Sequence, residues 1–134
     1  MELPWTTVAP AEGDVLVMAS RFRLRGIRRS PRFLLDALRL RRQALRAPGA
    51  VGVALRARPL RGEFWTLSAW TDRAALQDYA AADPHAAVRA RAARWTSDAA
   101  FVFWTVPAPP ASRADAAELW REGERRVAGQ ARTA

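Results

Sequence analysis

Gly62–His85, GEFWTLSAWTDRAALQDYAAADPH, is the stretch whose reading decides the fold. Phe64 to Trp70 is rich in β-favouring residues and runs straight into Thr71-Asp72, where a helix opens. Side chains alternate along a strand, so Phe64, Thr66, Ser68 and Trp70 point one way and Trp65, Leu67 and Ala69 the other. Neither side is a water-facing surface, so this strand belongs to a sheet with something packed on each face. Asp72 is an N-cap candidate for the helix, which carries Leu76, Tyr79 and Ala80 on one face. Asp83-Pro84-His85 follows, and His85 is the only histidine of the chain.

Working outward, Asp14–Phe22 reads as a strand with an apolar core on both faces. Ser30-Pro31 is a helix start, serine at N-cap and proline at N1. The helix runs to about Arg46, with Leu34, Leu38 and Leu45 as its apolar stripe and Arg32, Asp36, Arg39, Gln43 and Arg46 opposite; Pro48-Gly49 ends it. Ala50–Ala57 and Phe64–Trp70 form an antiparallel hairpin across Pro59–Gly62. Pro84 is a break point, after which His85 to about Arg94 can add further helical turns. Ser97-Asp98 reads as a turn and Ala100–Val106 as the last strand. Residues 1–13 read as an N-terminal arm broken by Pro4, Pro10 and Gly13, 14–107 as the folded domain, and 108–134 as a linker and a polar helix over Ser112–Gly129. Ala116, Leu119, Trp120 and Val127 are that helix's only apolar contacts.

The order βαββαβ plus a C-terminal helix predicts an α+β, ferredoxin-like fold with both main helices on one face of a four-stranded antiparallel sheet. The other face is just as apolar, and a monomer would leave it in water. A second copy packed sheet to sheet resolves this, so a homodimer, a dimeric α/β barrel, is expected.

Composition narrows the chemistry. The chain has 134 residues, no cysteine and one histidine, which excludes disulfides, thiolate nucleophiles and sulfur-ligated zinc. No apolar run is long enough to span a bilayer, and no signal-peptide pattern opens the chain, so a cytoplasmic location is expected. All 22 basic residues are arginine and the net charge is +9, which also excludes lysine Schiff-base chemistry. Thirteen arginines lie between Arg21 and Arg61 against one acid, Asp36. Such a block is most simply a solvated face, and otherwise attracts an anionic ligand, a membrane surface or nucleic acid. Nucleic acid is the weakest of these, because no stacking or helix-turn-helix motif accompanies the charge.

VMASRF (17–22), PRFLLDALRLRRQ (31–43), APGAVGVALRA (47–57), FWTLSAWTDRAALQDYA (64–80), DPH (83–85) and FVFWTVP (101–107) together resemble the dimeric α/β-barrel superfamily of antibiotic-biosynthesis-monooxygenase-like proteins, and within it the spheroidene-monooxygenase-like group. The resemblance covers about residues 14–107. It implies a monooxygenase of secondary metabolism acting with dioxygen on a hydrophobic polycyclic or polyene substrate. Relatives work either with no cofactor, the substrate's own carbanion meeting dioxygen, or with haem. Laid without gaps from Trp70 on the haem-degrading members, the ligand histidine falls on Arg89 and a catalytic tryptophan on Tyr79. His85 lies one helical turn before Arg89.

These lines select the candidate site. His85 is the general base, or the haem ligand; its bland alternative is a structural hydrogen bond. Tyr79 is a hydrogen-bond donor to a developing oxyanion, or a half-buried helix residue. Trp65, Trp70 and Phe103 line a substrate pocket, or are simply core. Arg89 and Arg21 are anion partners, or solvated; Asp83 orients His85, or caps. Isomerase or cyclase chemistry would need the same pocket and base. A non-catalytic binder of a small ligand or a polyanion is the rival from another class.

Overall fold

The computed structural model describes residues 1–133. Five strands, β1 (Glu2–Thr7), β2 (Val15–Leu24), β3 (Ala50–Arg58), β4 (Glu63–Trp70) and β5 (Thr96–Val106), form one antiparallel sheet in the order β1-β3-β4-β2-β5. The inner order β3-β4-β2-β5 is the ferredoxin-like arrangement predicted from the sequence. Between the strands lie α1 (Ser30–Ala44), α2 (Arg73–Ala81) and α3 (His85–Trp95), and α4 (Arg113–Thr133) closes the chain.

The register sorts the side chains. Met18 pairs with Ser68, Ser20 with Thr66 and Phe22 with Phe64, and this face carries α1 to α3. Its core joins Leu76 and Tyr79 to Trp70 and Val53, and Phe33 to Phe64, Leu24 and Ala57. The opposite face carries Val15, Val17, Ala19, Leu67, Ala69, Val102 and Trp104. There α4 lies, burying Leu119, Trp120 and Val127. Gly123 lets α4 come close: a Cβ on it would stand 2.9 Å from Ala19 Cβ.

Over β2 and β5, the sheet face expected to meet a second copy carries the chain's own α4. Ala116, Leu119, Trp120, Gly123 and Val127 recur at helical spacing and form the stripe that fits it. Several other expectations are corrected. The N-terminal arm is not irregular, since its residues 2–7 are β1, paired to the free edge of β3. Pro4 is tolerated on an edge strand, and the register shifts between Leu3 and Thr6. Ser97-Asp98 lies inside β5, with Asp98 opposite Arg23. The Ser30 hydroxyl donates to the Pro59 carbonyl (2.7 Å) instead of capping α1. On α1, Asp36 faces inward, 2% exposed, while Leu38 stays at the surface. The cause is α3, whose Arg91 donates to both Asp36 oxygens (2.9 and 3.2 Å). No helix among the described residues is long and apolar enough to cross a membrane.

Candidate functional site

Trp70 ends β4 with its indole fully buried and its Nε1–H donated to the Ser68 hydroxyl (2.9 Å). The chain turns at once, because Asp72 Oδ1 accepts the Ala75 N–H (2.8 Å) and caps α2. Seven residues on, Tyr79 returns over Trp70, ring centroids 4.8 Å apart. Proline at 84 breaks the helix after Ala81, and His85 opens α3 with its ring edge-on to Tyr79 at 4.9 Å. Trp70, Tyr79 and His85 thus form one aromatic stack from the sheet to the α2–α3 junction.

Gln43 of α1 clamps this junction. Its Oε1 accepts the His85 backbone N–H (3.0 Å), and its Nε2 donates to the Tyr79 carbonyl (3.0 Å). By its sequence pattern Gln43 belongs to the solvent side of α1; the signal for its role is its position one turn beyond Leu40 on the side that also carries Asp36.

The His85 imidazole sits with Nδ1 3.1 Å from the Ala80 carbonyl. A carbonyl only accepts, so Nδ1 carries the proton and Nε2 keeps its lone pair. Burial lowers the imidazole pKa below its ordinary 6.5; the Ala80 hydrogen bond opposes this and the charge of Arg89 adds to it. His85 is therefore a neutral, proton-accepting group at pH 7. Tyr79 is different. Its hydroxyl donates to the Leu40 carbonyl (3.0 Å), and burial pushes its pKa well above the usual phenol range. Its proton is held and already committed to α1.

Between α1 and α2 an open pocket of about 490 Å³ is lined by Tyr79, by small apolar groups such as Ala75 and Pro84, and by charged groups of both signs, Arg39, Arg42 and Arg46 with Asp78 and Asp83. His85 follows Pro84 directly.

The other predicted residues are distributed differently. Phe103 lies on the helix side of β5, exposed, with the Arg73 guanidinium 5.5 Å from its ring centroid. Trp65 is on the opposite face of the sheet, donating to Glu63 (2.7 Å) with Arg21 above its ring. Arg21 is neutralised by Asp98 at 2.5 Å. Arg89 is exposed one turn beyond His85. Asp83 neither orients His85, which Ala80 and Gln43 hold, nor caps α3, which has no side-chain cap. Among the described residues no group of three or more His, Cys, Asp or Glu side chains is placed to hold a metal ion.

This is the fold of antibiotic biosynthesis monooxygenase-type proteins, the superfamily the sequence resembles. SnoaB of Streptomyces nogalater, a cofactor-independent oxygenase, superposes with a TM-score of 0.58 at 23% identity, over 74% of this chain and 99% of that one. Rv0793 of Mycobacterium tuberculosis matches with 0.59 at 22% identity, over 73% and 99%. A crystal structure of an antibiotic biosynthesis monooxygenase matches with 0.58 at 17% identity, over 71% and 99%. About a quarter of this chain lies outside each match. No family model matches the chain, and none of the curated proteins does.

Proposed function

We propose that the chain is a monooxygenase that acts on a flat hydrophobic substrate without a cofactor, with His85 as its base. The observation that carries this reading is the state of the lone histidine: neutral, its ring held through Nδ1 by Ala80 and its backbone by Gln43, and directly after Pro84, which lines the pocket together with Tyr79. Nε2 takes the proton of a phenol or anthrone, and the resulting anion is oxidised by dioxygen to the quinone, one oxygen atom entering the product and the other leaving as water. Arg39, Arg42 and Arg46 outnumber Asp78 and Asp83 in the pocket lining and favour the anion. The fold shared with a cofactor-independent oxygenase supports the reading. The narrower likeness to the spheroidene-monooxygenase-like group, a place in secondary metabolism and a cytoplasmic location belong to the same proposal and rest on sequence.

The test is dioxygen uptake with a panel of phenols and anthrones. Uptake that His85→Ala lowers by roughly 10²-fold or more supports the base role. Product formed without uptake points to isomerase or cyclase chemistry on the same base. Saturable binding with no turnover points to a carrier.

A second reading draws on the same hydrogen bond. A histidine whose Nδ1–H is held by a backbone carbonyl is oriented as metal-bound histidines are. His85 would hold haem iron and Arg39, Arg42 and Arg46 its propionates; bound haem would supply dioxygen activation. Hemin titration decides: a Soret band lost in His85→Ala supports it, and no saturable shift leaves the cofactor-free reading.

Pairing of two copies is a further part of the proposal. Light scattering at twice 14.9 kDa supports it; the mass of one chain means that α4 takes the second copy's place.

A further inference from the structure

The fold splits the arginine block between the two ends of the molecule. At one end three segments meet: a short turn at Ile27–Arg29 after β2, the hairpin tip Pro59–Arg61, and the end of α3. They are stitched together. Leu24 N–H donates to the Gly62 carbonyl (2.9 Å), Arg25 N–H to the Trp95 carbonyl (2.9 Å), and the Ser30 hydroxyl to Pro59 (2.7 Å). Gly62, at φ 61°, makes the hairpin turn, and Ile27 stands beside it.

This platform presents two aliphatic side chains to water: Leu60 is 87% exposed and Ile27 53%. Next to them Arg25, Arg28, Arg29 and Arg94 surround a shallow pocket of about 390 Å³ with Trp95. The Arg29 guanidinium lies 4.7 Å from the Trp95 ring centroid. Among the described residues none of the four arginines is in an ion pair, as Arg21, Arg56 and Arg91 are; Arg42 and Arg46 at the other end are also without one but have no exposed aliphatic side chains like Leu60 and Ile27 in their pocket. Arg58 and Arg61 flank Leu60 in the chain.

Unmatched guanidinium groups held together call for phosphate or carboxylate. A soluble polyanion would give no use to Leu60 and Ile27. A bilayer uses all of the parts: aliphatic tips below the headgroups, tryptophan at the interface, arginine on lipid phosphate. We propose that this end of the molecule docks on anionic phospholipid surfaces, with Leu60 and Ile27 inserted and Arg25, Arg28, Arg29 and Arg94 bound to lipid phosphates. The proposal goes beyond the oxygenase reading and stands without it.

Co-sedimentation of the full chain with phosphatidylcholine vesicles, with and without a third of phosphatidylglycerol, tests it. Binding is expected to the anionic vesicles, weaker to the neutral ones and falling with salt. A basic residue near such a surface contributes about fivefold, so Arg28→Ala/Arg29→Ala lowers partitioning about 25-fold. Leu60→Ala lowers it roughly tenfold and leaves the circular-dichroism melt unchanged, since the side chain packs on nothing. Arg42→Ala/Arg46→Ala, roughly 20 Å away along α1, leaves binding unchanged. Failure to bind anionic vesicles overturns the proposal. So does full-strength binding by Leu60→Ala, which reduces the surface to a plain polyanion site. Equal losses at the Arg42/Arg46 pair reduce it to diffuse net charge. Binding of short duplex DNA that is as tight and indifferent to Leu60 replaces the membrane with nucleic acid.

Discussion

His85 has two attachments with different consequences. The ring is set by the Ala80 carbonyl, the backbone by Gln43. Because its folded pKa is lowered, the imidazole protonates more readily in the unfolded chain. Stability contributed by this group is therefore full above 6.5 and is lost as pH falls through 6.5 to the lower folded value. Under the base reading kcat/KM follows the same titration: flat at neutral pH and falling on the acid side with a midpoint below 6.5, measured as dioxygen uptake against pH. Tyr79→Phe separates two roles for the phenol. With its proton committed to Leu40, the substitution is expected to cost about 1 kcal/mol of stability and to leave kcat within a few-fold; a loss on the order of 100-fold would make the hydroxyl an oxyanion donor. On α1, Arg91→Ala is expected to lower the urea midpoint, because it strips the bidentate partner from a buried carboxylate and leaves only the more distant Arg32 and Arg39 beside it. Asp36→Ala should cost less, since the freed Arg91 can turn to water.

At the level of elements, α4 and β1 are held by close approaches at glycine. Gly123→Leu drives a side chain into Ala19 and Trp104 and is expected to cost about 2 kcal/mol. The readout is a lower urea midpoint with new dye binding at the exposed sheet face. Gly52→Ala would put its Cβ 2.1 Å from Trp5 Cζ2, so Trp5 must leave. Here the edge strand yields before the core does. Hydrogen exchange should show protection lost at the β1–β3 amides and kept at β2–β4. The outer face of α4 carries Glu118, Glu122, Arg121, Arg125 and Arg126 in an exposed ion-pair network. Pairs exposed to water in this way contribute little, so what positions the helix is its buried stripe, and that stripe is readable in the sequence.

For the molecule as a whole, α4 decides what the second sheet face does. Truncation after Val106 uncovers Val15, Val17, Ala19 and Trp104. The shortened chain is expected to self-associate through that face, giving a larger assembly by light scattering than the full chain forms; an unchanged assembly state and melting temperature would show that α4 contributes little. The molecule is also polarised along α1. One end holds the aromatic stack and its pocket, and the other Arg25, Arg28, Arg29 and Arg94 with Leu60 and Ile27. The two functions proposed for these ends are therefore separable by mutation.

Local chemistry alone determined much of this protein. Alternation along Phe64–Trp70, the Asp72 cap, the Pro84 break and the hairpin at Pro59–Gly62 are short-range effects of side-chain direction and backbone freedom, so the βαββαβ order and the position of His85 at a helix start were legible in the chain. Tertiary structure decided what covers each surface. Asp36 reads as a solvent residue until α3 brings Arg91 to it, and Gln43 until His85 arrives beside it. Trp65 and Trp70 look alike as aromatic strand residues but lie on opposite faces, one against Glu63 and Arg21, the other under Tyr79. An apolar sheet face states that it must be buried. Whether a second copy or a distant helix of the same chain buries it depends on loop length and steric fit, which hydropathy does not encode.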